Sequence, residues 1–179
     1  RYYAQWAGAP YHVYGGRKGA NDYADDINTR SLMTNWLGGG SPYMPALQGK
    51  KVPIELSLAV HSDAGYNKDG KTTWGSLAIC TTNFNDGMLN SGISRMTSKD
   101  LAKALLKNLV SDLRQQYGEF SERYLWDRNY SETRLPEVPA AIIETLSHQS
   151  FPDMKIGQDP MGKFTIARSL YKTILRYVC

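Results

Sequence analysis

Short apolar runs with strand character alternate with amphipathic segments along this chain of 179 residues, and the alternation restricts the folds open to it. Three of the runs predict strands: one that ends at His61, one over Trp74–Thr82 and one over Ala140–Leu146. Strands separated by helices build an α/β sheet, whereas the first two runs follow each other with only a loop between them. We therefore expect a single α/β domain whose mostly parallel or mixed sheet is flanked by helices.

Helical periodicity is clearest over Ser98–Tyr117, where four leucines recur at every fourth position. Thr97 and Asp100 predict a capping box at the start of this helix, and Gly118 predicts its end. A second helix is predicted from Asn21 or the residue after it up to a run of glycines.

Weaker patterns predict a helix over Tyr2–Ala7 and a short strand over Tyr11–Tyr14, while Ser121–Pro139 is taken as a polar, aromatic connection. The last helix is predicted to begin at Asp159, a capping residue that is followed by proline. Its apolar positions predict a buried face made of Phe164, Ala167, Leu170, Tyr171, Ile174 and Val178.

Composition excludes some classes of function. The formal charge is +4, but lysines and arginines are scattered among acids, so the sequence predicts no nucleic-acid partner. No run approaches the roughly 18 to 20 apolar residues of a membrane span, and no signal peptide is visible. Two cysteines decide nothing about the compartment. Because Arg1 opens a helix-like stretch without a methionine, we expect it to mark an internal cut, with residues of the fold missing upstream.

Two strands place a polar residue at or near their carboxyl ends, His61 on one and Glu144 on the other. Open α/β sheets bind ligands at the carboxyl ends of their strands, so we expect both side chains at one edge, within reach of one water molecule. Two structural alternatives remain open. His61 is then a satisfied histidine at a strand end, and Glu144 pairs with an arginine such as Arg134.

Four segments resemble one family in its own order. They are "DYADDINTRSLMTN", which contains Asp22, Ile27, Arg30 and Asn35, followed by "LSLAVHSDAG", "VPAAIIETLSHQS" and "DPMGKFTIARSLYKTILRYV". Together they resemble the catalytic domain of zinc-dependent N-acetylmuramoyl-L-alanine amidases, which cleave peptidoglycan. The wording is most similar to secreted amidase-like proteins of Bacteroides-type bacteria, some of which carry a xanthan-lyase label.

The resemblance implies that residues 1–179 are an amidase-like catalytic domain that hydrolyses the amide between N-acetylmuramic acid and L-alanine. It implies His61 as a zinc ligand and Glu144 as the catalytic acid and base. A zinc-bound water is a strong nucleophile near neutral pH, and a carboxylate can carry its proton to the leaving amine. The implied partner is peptidoglycan or a muramoyl-peptide, the implied location is secreted, periplasmic or cell-surface, and we expect a monomer.

The chain also departs from the family pattern. Asp63 stands where the family has asparagine, and "SHQS" replaces a glycine, phenylalanine and asparagine pattern after the catalytic glutamate. In the family, a further histidine and a glutamate precede the helix corresponding to Tyr2–Ala7, and neither is in this chain. His12 and His148 do not fit the missing position. We therefore expect an incomplete Zn²⁺ site, with Asp63 as a candidate acceptor for the second nitrogen of His61.

Other candidate residues are assigned less directly. Arg30 and Asn35 lie about 140° apart around a helix, so they cannot share one contact, and a structural role is favoured for both. Aromatic residues near the site either line a groove for a sugar or peptide or simply pack: Tyr66, Trp74 and Trp126. Two other functions stay open, a non-catalytic or truncated relative that binds a glycan or peptide, and a metallopeptidase acting on another peptide.

Overall fold

Four strands form one mixed sheet in the order β1-β4-β2-β3 in the computed structural model, which describes all 179 residues. The strands are β1 (Ser57–Asp63), β2 (Ser76–Cys80), β3 (Glu122–Asp127) and β4 (Ala140–Ser147). Helices flank the sheet, and the predicted single α/β domain is confirmed. β2 and β4 are antiparallel, with Leu77 opposite Glu144.

Hydrogen bonds at the strand ends give the direction of β1. The Ser57 N–H donates to the carbonyl of Pro139, and the His148 N–H donates to the carbonyl of Asp63. Because both ends of β1 meet the corresponding ends of β4, these neighbouring strands run parallel. Their carboxyl ends therefore lie at the same end of the sheet.

Seven helices complete the chain. They are α1 (Tyr2–Trp6), α2 (Tyr11–Tyr14), α3 (Asp22–Gly38), α4 (Met96–Tyr117), α5 (Ser131–Arg134), α6 (Phe151–Gln158) and α7 (Pro160–Val178). Asn21 caps α3 by accepting the Ala24 N–H, and Asp159 caps α7 by accepting the Met161 N–H. The capping residues of α3 and α7 thus follow the sequence prediction, as does the end of α4 before Gly118.

The domain contains two compact units. The first comprises residues 1–57, 80–99 and 128–141, and the second comprises residues 58–79, 100–127 and 142–179. In the first unit, a small buried cluster consists of Ala4, Ala9 and Val13. Aromatic and aliphatic side chains of α2 and α3 pack against this cluster. In the second unit, buried residues of β2 and β4 pack with partly buried ones of β1 and β3: Leu77, Ile79, Ile142, Ala59 and Trp126.

Arg95 is the largest fully buried side chain and lies in the first unit. Its Nε donates to the carbonyl of Met88, and Nη2 lies 3.6 Å from Glu137 Oε1. Glu137 in turn accepts the Asn90 N–H. These contacts hold the loop before α4 from within, since a buried guanidinium is stable only when its charge is compensated.

Asp153 in α6 organises the second unit. Its carboxylate is fully buried and accepts the N–H groups of Trp74, Gly75 and Ser147 at 2.7, 3.0 and 2.8 Å. It also accepts the hydroxyl of Ser150 at 3.0 Å. One side chain thus joins the start of β2, the end of β4 and the first turn of α6.

Glycine is required where β2 begins. Gly75 has a φ of +86°, and a Cβ at this position would lie 2.0 Å from the backbone oxygen of Ser121. Only glycine combines that conformation with so close an approach. The approach brings the chain before β3 against the chain before β2.

Three short elements differ from the sequence prediction. Tyr11–Tyr14 is the helix α2 and not a strand, because its buried Val13 and its Tyr14 pack in the cluster of the first unit. The Ser121–Pro139 connection contains β3 and α5, neither of which was predicted. Tertiary packing overrides weak local preference in elements of four to six residues.

The predicted capping box of α4 is wrong. The helix begins earlier, at Met96, whose N–H is accepted by the hydroxyl of Ser94. The Thr97 hydroxyl donates to the carbonyl of Ser94 instead of accepting a helix N–H. Ser94, and not Thr97, therefore accepts an N–H at the start of α4.

The predicted buried face of α7 is also wrong for most of its residues: Leu170 is buried and Ile174 is half-buried, but the other four are exposed. Phe164 and Tyr171 are 60% and 62% exposed, and the face that packs is made of small residues: Gly162, Thr165, Ser169 and Thr173. A Cβ on Gly162 would lie 2.0 Å from the carbonyl oxygen of Ile156, so only this face permits the close contact between α6 and α7. Close backbone approach here outweighs burial of the larger side chains.

We expect Asp153→Asn to lower the free energy of unfolding by about 3 kcal/mol, since an amide cannot accept all four hydrogen bonds and places N–H groups against N–H donors. Urea unfolding measures the change. The exposed Asp100→Asn on α4 is the matched control and should shift stability little. Equal stability of the two variants would contradict the organising role of Asp153.

A second prediction concerns pH. The Tyr117 hydroxyl donates to Asp159 at 2.6 Å; burial and this bond raise the pKa of Tyr117 to about 12, and the same bond lowers the pKa of Asp159. The tyrosine contribution to stability is complete below about pH 10 and is lost as pH rises through about 12, whereas the aspartate contribution is lost as pH falls below about 4.

Tyr117→Phe removes both contributions. The stability difference between the parent and Tyr117→Phe should therefore be largest near neutral pH and narrow at both extremes in urea unfolding. Tyr171→Phe, at an exposed position of α7, is the control. A difference that does not change with pH would show that the bond is not formed in solution.

Candidate active site

His61 and Glu144 lie side by side on the neighbouring parallel strands β1 and β4. The Nδ1 of His61 is 3.5 Å from Oε1 of Glu144. Their side chains are 32% and 13% exposed, so the pair is open to solvent mainly from the histidine side. The structure thus brings together the two residues that the sequence placed at one sheet edge, at a spacing that one water molecule can bridge.

Glu144 is a carboxyl group held partly out of water. Burial raises its pKa, and the nearby charge of Asp63 adds to the effect, while His61 and Arg123 oppose it. Its second oxygen, Oε2, is buried and has no hydrogen-bond partner within the chain. A carboxyl group with a raised pKa and an unused oxygen is suited to taking up and releasing a proton.

Asp63 lies two residues beyond His61 but is engaged with another partner. Its Oδ2 forms an ion pair with Nη1 of Arg123, and its Oδ1 accepts the Ala64 N–H at 2.8 Å. The contacts of this carboxylate therefore connect β1 with β3. Sequence reasoning did not single out Arg123, because the strand that carries it was not predicted.

Aromatic rings surround Arg123. Its guanidinium carbon lies 4.6 Å from the ring centre of Trp74 and 5.3 Å from that of Tyr124. The Tyr124 ring meets Trp126 edge-on at 5.7 Å. Trp126 is part of the packed cluster of the second unit, whereas Tyr66 is 62% exposed.

Arg30 and Asn35, the two other candidates, lie on α3 in the first unit. Arg30 pairs with Glu132 at 3.2 Å and with Asp26 at 3.7 Å. Asn35 donates to the carbonyl of Leu135 and accepts the Glu137 N–H. These contacts join α3 to the segment around α5, as a structural role requires.

Two other residues have their own contacts. His148 Nδ1 lies 3.1 Å from the hydroxyl of Ser62, and Arg134 donates to Asn129. The close neighbour of the Glu144 carboxylate is therefore His61, whereas Arg134 is engaged with Asn129.

A metal site does not assemble from this chain alone. No group of three histidine, cysteine, aspartate or glutamate side chains is arranged to hold an ion. A catalytic zinc takes three protein ligands and one open position, and the acid nearest to His61 on its own strand is paired with Arg123. The donor set present here therefore does not fit a catalytic zinc.

None of the helices is long and apolar enough to cross a membrane.

Comparison with known proteins identifies the fold. No family model matches the chain, and no curated protein matches it. Among solved structures, it is similar to an N-acetylmuramoyl-L-alanine amidase from Clostridium difficile 630, with 16% identity, a TM-score of 0.59, and coverage of 85% of this chain and 64% of that chain. It is also similar to Ami1 from Mycobacterium smegmatis, an N-acetylmuramyl-L-alanine amidase, with 16% identity, a TM-score of 0.57, and coverage of 84% and 59%.

A third similar structure is the catalytic domain of CwlV, an N-acetylmuramoyl-L-alanine amidase from Bacillus (Paenibacillus) polymyxa, with 13% identity, a TM-score of 0.52, and coverage of 93% of this chain and 89% of that chain. At such identities the likeness establishes the amidase fold. This chain spans about three fifths of the length of the first two structures. The resemblance to Bacteroides-type proteins with a xanthan-lyase label stays a prediction.

The Asp63–Arg123 pair should be coupled in solution. A double-mutant cycle of Asp63→Asn and Arg123→Gln isolates the pair from the ring contacts of Arg123, because those are lost in the single and the double variant alike. We expect a coupling energy of about 1 kcal/mol in urea unfolding, the upper range for a partly exposed ion pair. Additive effects would show that the pair is not formed.

Proposed function

We propose that this chain carries the acid–base part of a peptidoglycan amidase, which hydrolyses the amide between N-acetylmuramic acid and L-alanine. The observation that supports it most is the largely buried Glu144 beside His61, toward the carboxyl ends of two parallel strands, within a fold shared with N-acetylmuramoyl-L-alanine amidases. The fold alone does not carry the function, so the proposal depends on this site.

Glu144 performs the proton transfers in this proposal. As a carboxylate it takes a proton from the attacking water, and it then gives that proton to the nitrogen of the leaving L-alanine as the amide bond breaks. Burial raises the pKa of Glu144 and so brings it closer to the pH of the reaction medium, which suits a group that both accepts and donates a proton.

His61 supplies one imidazole donor beside this carboxylate. In the proposal it is a metal ligand, and Zn²⁺ would need further donors from outside these 179 residues, because the chain contains no three-donor group. Metal binding by the chain alone should therefore be weak. Asp63 acts indirectly, through the position of Arg123.

The proposed substrate is peptidoglycan or a muramoyl-peptide, which places the protein outside the cytoplasmic membrane, at the cell surface or in the periplasm. A nucleic-acid partner is not proposed, and the protein is proposed to act as a monomer.

A second function is favoured by one observation. Because the donor set does not fit a catalytic zinc, the chain is alternatively a non-catalytic amidase-fold module that binds a cell-wall glycan or peptide. In that case the His61–Glu144 pair is a remnant of a catalytic site. The two functions differ in whether peptide is released from bound substrate.

Glu144→Gln is the decisive variant. It keeps the shape of the side chain but removes the base, so release of L-alanine-terminated peptide from peptidoglycan should fall by about 10²–10⁴-fold. The assay is run on the natural polypeptide that carries these residues, with zinc supplied, by counting new amino termini. Glu55→Gln, at an exposed position before β1, is the matched control and should retain full activity.

His61→Ala should lose activity together with bound metal, whereas Glu144→Gln should retain the metal. Turnover of Glu144→Gln within a few-fold of the parent would refute the role of Glu144. A parent protein that binds peptidoglycan without releasing peptide would establish the non-catalytic function instead.

A further inference from the structure

We propose that Trp74, Arg123 and Tyr124, together with the cavity beside them, bind the sugar chain of the substrate. The inference rests on the proposed function and deepens it, because it assigns the glycan strand, and not the peptide, to a particular surface. This group of three residues is called the sugar platform below.

The platform is rigid on its inner side. Trp74 is held by its own N–H, which donates to Asp153 at 2.7 Å, and its indole lies against Gly65, where a Cβ would come within 2.7 Å of the ring. Arg123 lies over this indole and is anchored by Asp63. A ligand therefore meets a surface that is already ordered, which lowers the entropy lost on binding.

The outer side of the platform is open. Tyr124 is 47% exposed; the Arg123 guanidinium lies over one face of its ring, and Trp126 meets it edge-on, which leaves the other face for a ligand. An exposed ring fixed by neighbours presents an apolar face that suits the C–H face of a pyranose ring. The adjoining carboxylate and guanidinium supply acceptors and donors for hydroxyl and N-acetyl groups.

The charge of the platform favours a neutral ligand. Arg123 is already paired with Asp63, so its positive charge is compensated and a carboxylate of the peptide would gain little by binding there. A neutral sugar does not compete with Asp63 for Arg123, because its hydroxyl and N-acetyl groups can hydrogen-bond to the ion pair without separating it.

A cavity of about 830 Å³ lies close to the platform along the chain, and its lining contains none of the three platform residues themselves. Its lining includes Thr73 and Glu122, the residues directly before Trp74 and Arg123 in the chain. Lysine and arginine in the lining are matched by two glutamates, and the other side chains are mostly small and polar, with one aromatic ring: Lys71, Thr73, Arg114, Glu119, Phe120 and Glu122. This volume is in the range of ligand sites and exceeds what one sugar ring needs.

The cavity and the site lie at the same end of the sheet. β2 is antiparallel to β4, so the start of β2 meets the carboxyl end of β4, and Asp153 bonds to both. A glycan strand that places its amide at Glu144 can thus extend toward the platform, which is tied to this end of the sheet by Asp153 and Asp63.

The test uses the neutral tetramer of N-acetylglucosamine, which lacks the amide that would be cleaved. Calorimetric titration of the full chain should show binding, and Tyr124→Ala should weaken it by about three- to tenfold. Tyr124→Phe keeps the ring and should bind nearly as the parent does. Tyr171→Ala, at a similarly exposed tyrosine of α7, is the matched control and should not change the affinity.

The outcomes separate this inference from the proposed function. Glu144→Gln should bind the tetramer as the parent does, so the sugar site stands even if hydrolysis is absent. The inference is overturned if the parent does not bind the tetramer, or if Tyr124→Ala and Tyr171→Ala bind it equally. It is also overturned if Tyr124→Ala weakens binding of the dipeptide L-alanyl-D-isoglutamine as strongly as that of the tetramer.

Discussion

The buried carboxylate of Asp153 is the contact on which the second unit depends. Its four hydrogen bonds fix the first residues of β2 against the last residue of β4, and they position Trp74 through its backbone. Trp74 in turn supports Arg123, and Arg123 holds Asp63 at the end of β1. An uncompensated buried charge would destabilise the fold. The Asp153 carboxylate is stable in the interior because four hydrogen-bond donors surround it.

The candidate site contains two pairs of side chains, Asp63 with Arg123 and Glu144 with His61, and the two pairs differ in how tightly their members are bound to each other. Asp63 and Arg123 neutralise each other directly, whereas Glu144 meets His61 at 3.5 Å and keeps one oxygen without a partner. The first pair is thus a fixed structural element and the second remains chemically available. Carboxyl groups in such different surroundings can take different roles within one site.

Much of the fold follows from the sequence, since β1, β2 and β4 are apolar runs and α4 repeats leucine at helical spacing. His61 and Glu144 could be named because a polar residue at the end of an apolar run is conspicuous. Arg123 could not, because β3 alternates poorly and has no buried residue that would mark it as a strand. The packed face of α7 was missed for a different reason: its contacts depend on small residues that permit close approach, which a hydrophobic pattern does not report.

The exposed side of α7 has a consequence for the behaviour of the protein in solution. Met161, Phe164, Tyr171, Leu175 and Val178 are each at least 40% exposed, and they form a stripe along one side of the helix, with a gap of two turns between Phe164 and Tyr171. The helix contains several basic residues and no acid, so two such stripes repel each other at low salt. Salt at about 1 M shortens the screening length to about 3 Å and leaves apolar attraction intact. High salt therefore lowers the electrostatic cost of bringing two such helices together.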